Sequence, residues 1–171
     1  MAKDKLALYK LIVLYMLNKV DFPLTKAQIG DFILEKEYTN FMTLQTVIGE
    51  LIDAKFVTAQ SFRNRTHLKL TKDGQQTIEF FENDINPAIK EEINSYFQEN
   101  SIELRNEVSI MADYYKATSG EWEAHLVAKD KGVNLIDMTI SVPIEETAQE
   151  ICDNWNKKNQ EIYQYIVKQL F

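Results

Sequence analysis

From Asp4 to Asn18, Leu6, Tyr9, Ile12, Val13, Met16 and Leu17 recur at three- and four-residue spacing and form one wide apolar stripe. That period predicts a helix. Pro23 ends the segment, because it cannot extend a helix and biases Phe22 towards an extended backbone. A second helix is predicted to open after Thr25, with Gln28 completing a capping box and Ile29, Phe32 and Ile33 facing inward. The loop from Glu37 to Met42 carries the aromatics Tyr38 and Phe41, which are expected to seal the angle between helices. A third helix is predicted to start at Thr43. Leu44, Val47, Ile48, Leu51 and Ile52 then face the core, and Gln45, Thr46, Gly49, Glu50 and Asp53 form the opposite arc.

The period next shortens. Phe56 to Phe62 and Thr66 to Leu70 read as two strands around the turn Arg63-Asn64-Arg65. Thr71 is expected to cap a fourth helix with Ile78, Phe81 and Ile85 as its stripe. Pro87 suits the start of a fifth, running to about Gln98. From Ser101 the apolar residues Ile102, Leu104, Val108, Ile110, Ala112 and Tyr114 fall on even positions, which predicts a strand. Turns at Ser119-Gly120 and Lys131-Gly132 separate two more strands, through Trp122 to Ala128 and Val133 to Val142. A last helix is expected from Pro143, with Ile144, Ala148, Ile151, Trp155, Ile162, Ile166 and Leu170 as its stripe.

These elements predict an α+β fold. An N-terminal winged helix-turn-helix would occupy residues 1–85 and a connecting helix residues 86–100. A small antiparallel three-stranded sheet covered by the C-terminal helix would occupy residues 101–171. Charge divides along similar lines. Residues 1–72 carry a balance of +4 and residues 73–171 one of −11, so the net −7 hides a first half able to approach phosphate.

No apolar run nears the roughly 18 residues of a membrane span, the longest being Leu11 to Leu17. No membrane association is expected, and the cytoplasm is the expected location. One cysteine excludes an internal disulfide, and two histidines 58 positions apart give zinc little to bind. No catalytic, cofactor or metal site is expected. Glu121 and Glu123 share a spacing that suits paired carboxylates, but no nucleophile, metal ligand or phosphate loop accompanies them, and a solvated sheet face is the simpler reading. Cys152, flanked by Glu150 and Asp153, is expected to be half-buried.

The chemistry that remains suits double-stranded DNA. At the start of the third helix, Gln45 can bond adenine through its amide and the Thr46 methyl can meet thymine. Thr43 and Gly49 would let the backbone approach phosphate or base edges closely. Arg63, Asn64 and Arg65 at the hairpin tip would reach the backbone or a narrow minor groove, with Thr25, Lys26 and Lys69 as further contacts. Each has a plainer alternative as a solvated helix face or charged turn. Glu50 and Asp53 limit the reading surface to the first turn and a half, and favour a second reading as a winged-helix protein-protein adaptor. The C-terminal lobe is expected to form a homodimer or to sense a small-molecule effector. Its Tyr114, Tyr115, Trp122, Trp155, Tyr163 and Tyr165 would serve as core, dimer packing or pocket lining.

The chain also resembles a bacterial family catalogued as domain of unknown function 4364. The resemblance rests on Lys10 to Tyr15, on Pro23-Leu24-Thr25 with Gln28-Ile29, and on Tyr38-Thr39-Asn40-Phe41 running into Thr43-Leu44-Gln45. It continues through Glu50-Leu51, Thr71-Lys72-Asp73-Gly74, Phe80-Phe81-Glu82 and Ile85-Asn86-Pro87. It implies a winged-helix transcriptional regulator and adds no catalytic residue.

Overall fold

The computed structural model describes residues 2–62 and 64–171, with the side chains of residues 2–4 and of Phe62 left out of the description. The chain divides into two units, residues 1–104 and 105–171.

The first unit is built around α1 (Ala2–Asn18). Its residues Ile12 to Leu17 are all buried, so the second half of the helix is enclosed on every side rather than along one stripe. It packs against α3 (Phe41–Asp53), α4 (Lys72–Phe81) and β3 (Arg65–Leu70). The strands β1 (Leu24–Thr25) and β2 (Val57–Phe62) flank β3 in an antiparallel sheet of order β1-β3-β2. Leu68 lies opposite Ala59 on one side and Leu24 on the other. Leu24, Val57 and Leu68 are buried, and they join Ile29, Val47, Ile48 and Ile78 in the core.

Local chemistry sets the helix starts. Thr25 caps α2 (Lys26–Glu35) with the full capping box read from the sequence. Thr71 caps α4 by accepting a bond from the Gly74 amide, as expected. The third helix differs from expectation. Asn40 is the cap of α3, and its side chain accepts a 2.9 Å bond from the Thr43 amide, so Thr43 sits inside the first turn. Asn ranks above Thr as a cap, which is the physical reason for the earlier start. The expected aromatic seal also changes. Tyr38 packs edge-on to Phe32 and its hydroxyl donates to Glu92, whereas Phe41 and Met42 are 58% and 74% exposed.

After a 3-10 turn at Glu82–Asp84, α5 runs from Pro87 to Ser109. The strand expected from Ser101 is therefore helix as far as Ser109. Ile93, Phe97, Leu104 and Val108 are buried while Ile102 is 78% exposed, which is a helical pattern.

In the second unit, β4 (Ile110–Lys116), β5 (Trp122–Asp130) and β6 (Val133–Val142) form an antiparallel sheet in that order. One face is closed by α6 (Glu145–Leu170). Ala112, Ala124 and Ala128 surround Leu126 on that face, and such small side chains admit the bulk of Trp155. The Trp155 indole N–H donates to the Val127 carbonyl at 3.1 Å, so the ring is both buried and satisfied. Cys152 lies in the same cluster and is fully buried, not half-buried. The last helix begins two residues after Pro143, at Glu145, and its first turn carries Glu145 and Glu146, which suit the positive end of the helix dipole. The whole is a mixed α and β chain with two small antiparallel sheets and a C-terminal helix. Among the described residues, no helix is long and apolar enough to cross a membrane.

Candidate nucleic-acid interface

The outward arc of α3 begins where its cap ends. Thr43 is half-buried and its amide is held by Asn40, so the expected approach of that amide to a phosphate is already taken up by the cap. Gln45 is half-buried. Thr46 is exposed, and its hydroxyl donates to the Met42 carbonyl one turn back at 3.1 Å. That bond occupies the polar part of the side chain and leaves its methyl group for contact. Gly49 follows on the same arc, and a Cβ built there would meet nothing within 4 Å. Packing within the chain therefore does not require glycine at this position, while its lack of a side chain leaves the helix backbone bare.

Glu50 does not stand alone on this surface. Lys10 Nζ on α1 lies 2.5 Å from its carboxylate. The cation offsets part of the negative field that weighed against phosphate here.

The hairpin tip is a two-residue connection, since Phe62 is opposite Arg65. Arg63 lies outside the described residues. Asn64 has φ of +58°, a left-handed conformation that asparagine tolerates better than most residues. Behind the tip, side chains alternate across the sheet. Leu68 points into the core, so Arg65, His67 and Lys69 share the opposite face, beside Gln60 and Thr58 of β2. Arg65 and Lys69 are exposed and His67 half-buried. The sequence points to Arg65 and Lys69 but not to this stripe, which the alternation along β3 and the burial of Leu68 place on the face away from the core.

Two other candidates part company. Thr25 is buried, its hydroxyl accepts the Gln28 amide at 3.0 Å, and it acts as a cap rather than as a surface contact. Lys26 follows it at the first position of α2 and is half-buried. The loop aromatic Phe41, expected to seal the angle between helices, instead opens α3 together with Met42, and both face solvent.

Among the described residues no group of three or more His, Cys, Asp or Glu side chains could hold a metal ion. Elsewhere, His125 Nε2 lies 2.6 Å from Asp137 across the second sheet. Glu123 bonds the Tyr115 phenol and holds it neutral above its usual range.

The family model described as a domain of unknown function, DUF4364, matches residues 9–170. The chain belongs to that family. DUF4364 thus takes in the outward arc of α3, the hairpin and all of β4 to β6. Comparison with curated proteins and with solved structures found no match.

Proposed function

We propose that the first unit is a winged helix that binds double-stranded DNA as a transcriptional regulator. In this reading α3 enters the major groove and the β2–β3 hairpin lies on the backbone as the wing. The observation that carries it is the stripe Arg65, His67, Lys69 on the outer face of the hairpin, together with an α3 arc whose Gly49 has open space before it. Arginine and lysine so placed suit phosphate, and Gln45 and Thr46 suit base edges. The C-terminal unit is assigned to homodimerisation, which would make the recognised DNA palindromic.

The test is a titration of the whole chain against duplex DNA from upstream of its own gene at 50 and 200 mM salt. Binding that falls steeply with salt is expected. Absence of binding at the lower salt, to this DNA and to random duplex alike, would overturn the reading.

A second reading is favoured by Phe41 and Met42, exposed at the mouth of α3. Apolar side chains there suit a protein groove better than a phosphate-lined one, and make an adaptor the alternative. A Phe41→Ser, Met42→Ser double variant that binds DNA like the parent separates the two.

A further inference from the structure

Strand β6 is the edge of its sheet, paired to β5 on one side and, among the described residues, to no strand on the other. Exposed edges are usually protected by lysine, proline or shortness. Here the strand is ten residues long, it contains neither lysine nor proline, and its one charged side chain, Asp137, lies 2.6 Å from His125 of β5. The opposite edge, β4, is shorter and has Asp113 and Lys116 along it.

The stretch Ile136-Asp137-Met138-Thr139-Ile140-Ser141-Val142 alternates apolar and polar residues symmetrically about Thr139. A register irregularity precedes it, with Ala128 opposite Ile136 and Lys129 opposite Asn134, and Pro143 follows it. Ile136, Met138 and Val142 pack against the Trp155 cluster from the edge, and Ile140 shares their face yet is 38% exposed.

We propose that a second copy of this chain pairs antiparallel with β6, with the two-fold axis at Thr139. Ile136 then faces Val142 of the second copy and Met138 faces its Ile140, so the apolar row continues across the axis. Asp137 faces Ser141, and Thr139 faces Thr139, a favourable cross-strand pair. Moving the axis to Asp137 would set two carboxylates directly opposite each other. Moving the register by one residue would set each apolar side chain against a polar one. Only the Thr139 axis keeps all seven residues matched, and a strand complementary to its own reverse is what an isologous dimer requires. The pairing joins the two sheets into one of six strands with both α6 helices on the same side. It deepens the assignment of the second unit to dimerisation and is independent of any DNA binding.

Sedimentation and cross-linking of the full chain test it. Thr139→Cys in a Cys152→Ala background is expected to form a covalent dimer on mild oxidation, because directly opposed strand residues sit within about 4.5–5.5 Å, inside disulfide reach. Ser141→Cys in the same background is expected to stay uncrosslinked, since its own counterpart would lie four residues away along the strand. Ile140→Lys is expected to raise the dimer dissociation constant by about tenfold or more, with an unchanged circular dichroism spectrum. A parent chain that is monomeric at about 100 μM overturns the proposal, as does a dimer that crosslinks through Ser141→Cys and not Thr139→Cys. DNA binding by a monomer would leave the first-unit reading standing while this one falls.

Discussion

Gln28 and Leu104, 76 residues apart, are joined by a bond from the Gln28 amide nitrogen to the Leu104 carbonyl at 3.2 Å. The oxygen of the same amide accepts from the Thr25 backbone at 2.9 Å. One buried side chain therefore closes the N-terminus of α2 and ties it to the far end of α5. Gln28→Leu keeps the bulk and removes both bonds, leaving a buried N–H without its acceptor. A loss of about 1–3 kcal/mol is expected, read as a lower urea midpoint. Thr25→Ala removes only the cap and is expected to cost about 1 kcal/mol. Equal effects from the two changes would deny the long-range bond its role.

Two helical glycines make opposite predictions. A Cβ on Gly74 would stand 2.0 Å from the Phe56 carbonyl oxygen, which itself accepts a bond from the Thr71 amide. Gly74→Ala must move backbone and is expected to destabilise by about 1–3 kcal/mol or more. Gly49→Ala meets open space inside a helix and is expected to stabilise by about 0.5–1 kcal/mol. If α3 enters a groove, that same change weakens DNA binding. A more stable protein that binds DNA worse is the expected result, and one that binds DNA unchanged would count against α3 as the reading helix.

If the first unit binds DNA as proposed, wing and reading helix are separable by salt. Arg65→Ala is expected to weaken binding to all duplexes alike and to reduce the salt slope by about 1. Gln45→Ala is expected to leave the slope alone and to lose about 1–3 kcal/mol of discrimination at one base pair. Identical behaviour of the two variants across a panel of sequences would sink the division of labour.

The alkaline limb of stability is set partly by Tyr38. Burial, followed by its hydrogen bond to Glu92 and the nearby carboxylate charge, holds the phenol neutral well above its usual range. Its contribution is complete below the unfolded value of about 10. It is lost as pH rises further, because the unfolded chain then releases a proton that the folded chain keeps. Urea midpoints measured at pH 8 and pH 10.5 are expected to fall more for the parent than for Tyr38→Phe. An equal fall in both would assign the alkaline limb to other groups.

Much of this was legible in the chain itself. The box of Thr25 and Gln28, the cap at Thr71, the turns at Ser119-Gly120 and Lys131-Gly132 and the covered three-stranded sheet depend on bonds or periods spanning a few residues. The local pattern contains everything such features need. Elsewhere the local pattern pointed to the wrong element, as with the strand expected from Ser101. Leu104 and Val108, four apart, share a face in a helix and also in a strand, and the continuing turns of α5 decided for helix. At the third helix the pattern pointed to Thr43 as the start, and the Asn40 side chain, which reaches the Thr43 amide, is the cap instead.

Other features belong to the tertiary structure alone. Lys10 beside Glu50, Gln28 beneath Leu104 and the enclosure of Ile12 to Leu17 on all sides each depend on elements far apart in the chain. Sequence by itself determined which residues could form a helix, a strand or a cap, because those choices are settled within one or two turns. Which face would be enclosed and which left to solvent, as with Phe41, Met42 and the β6 edge, was decided only when distant segments packed, because burial is a property of neighbours and not of the residue.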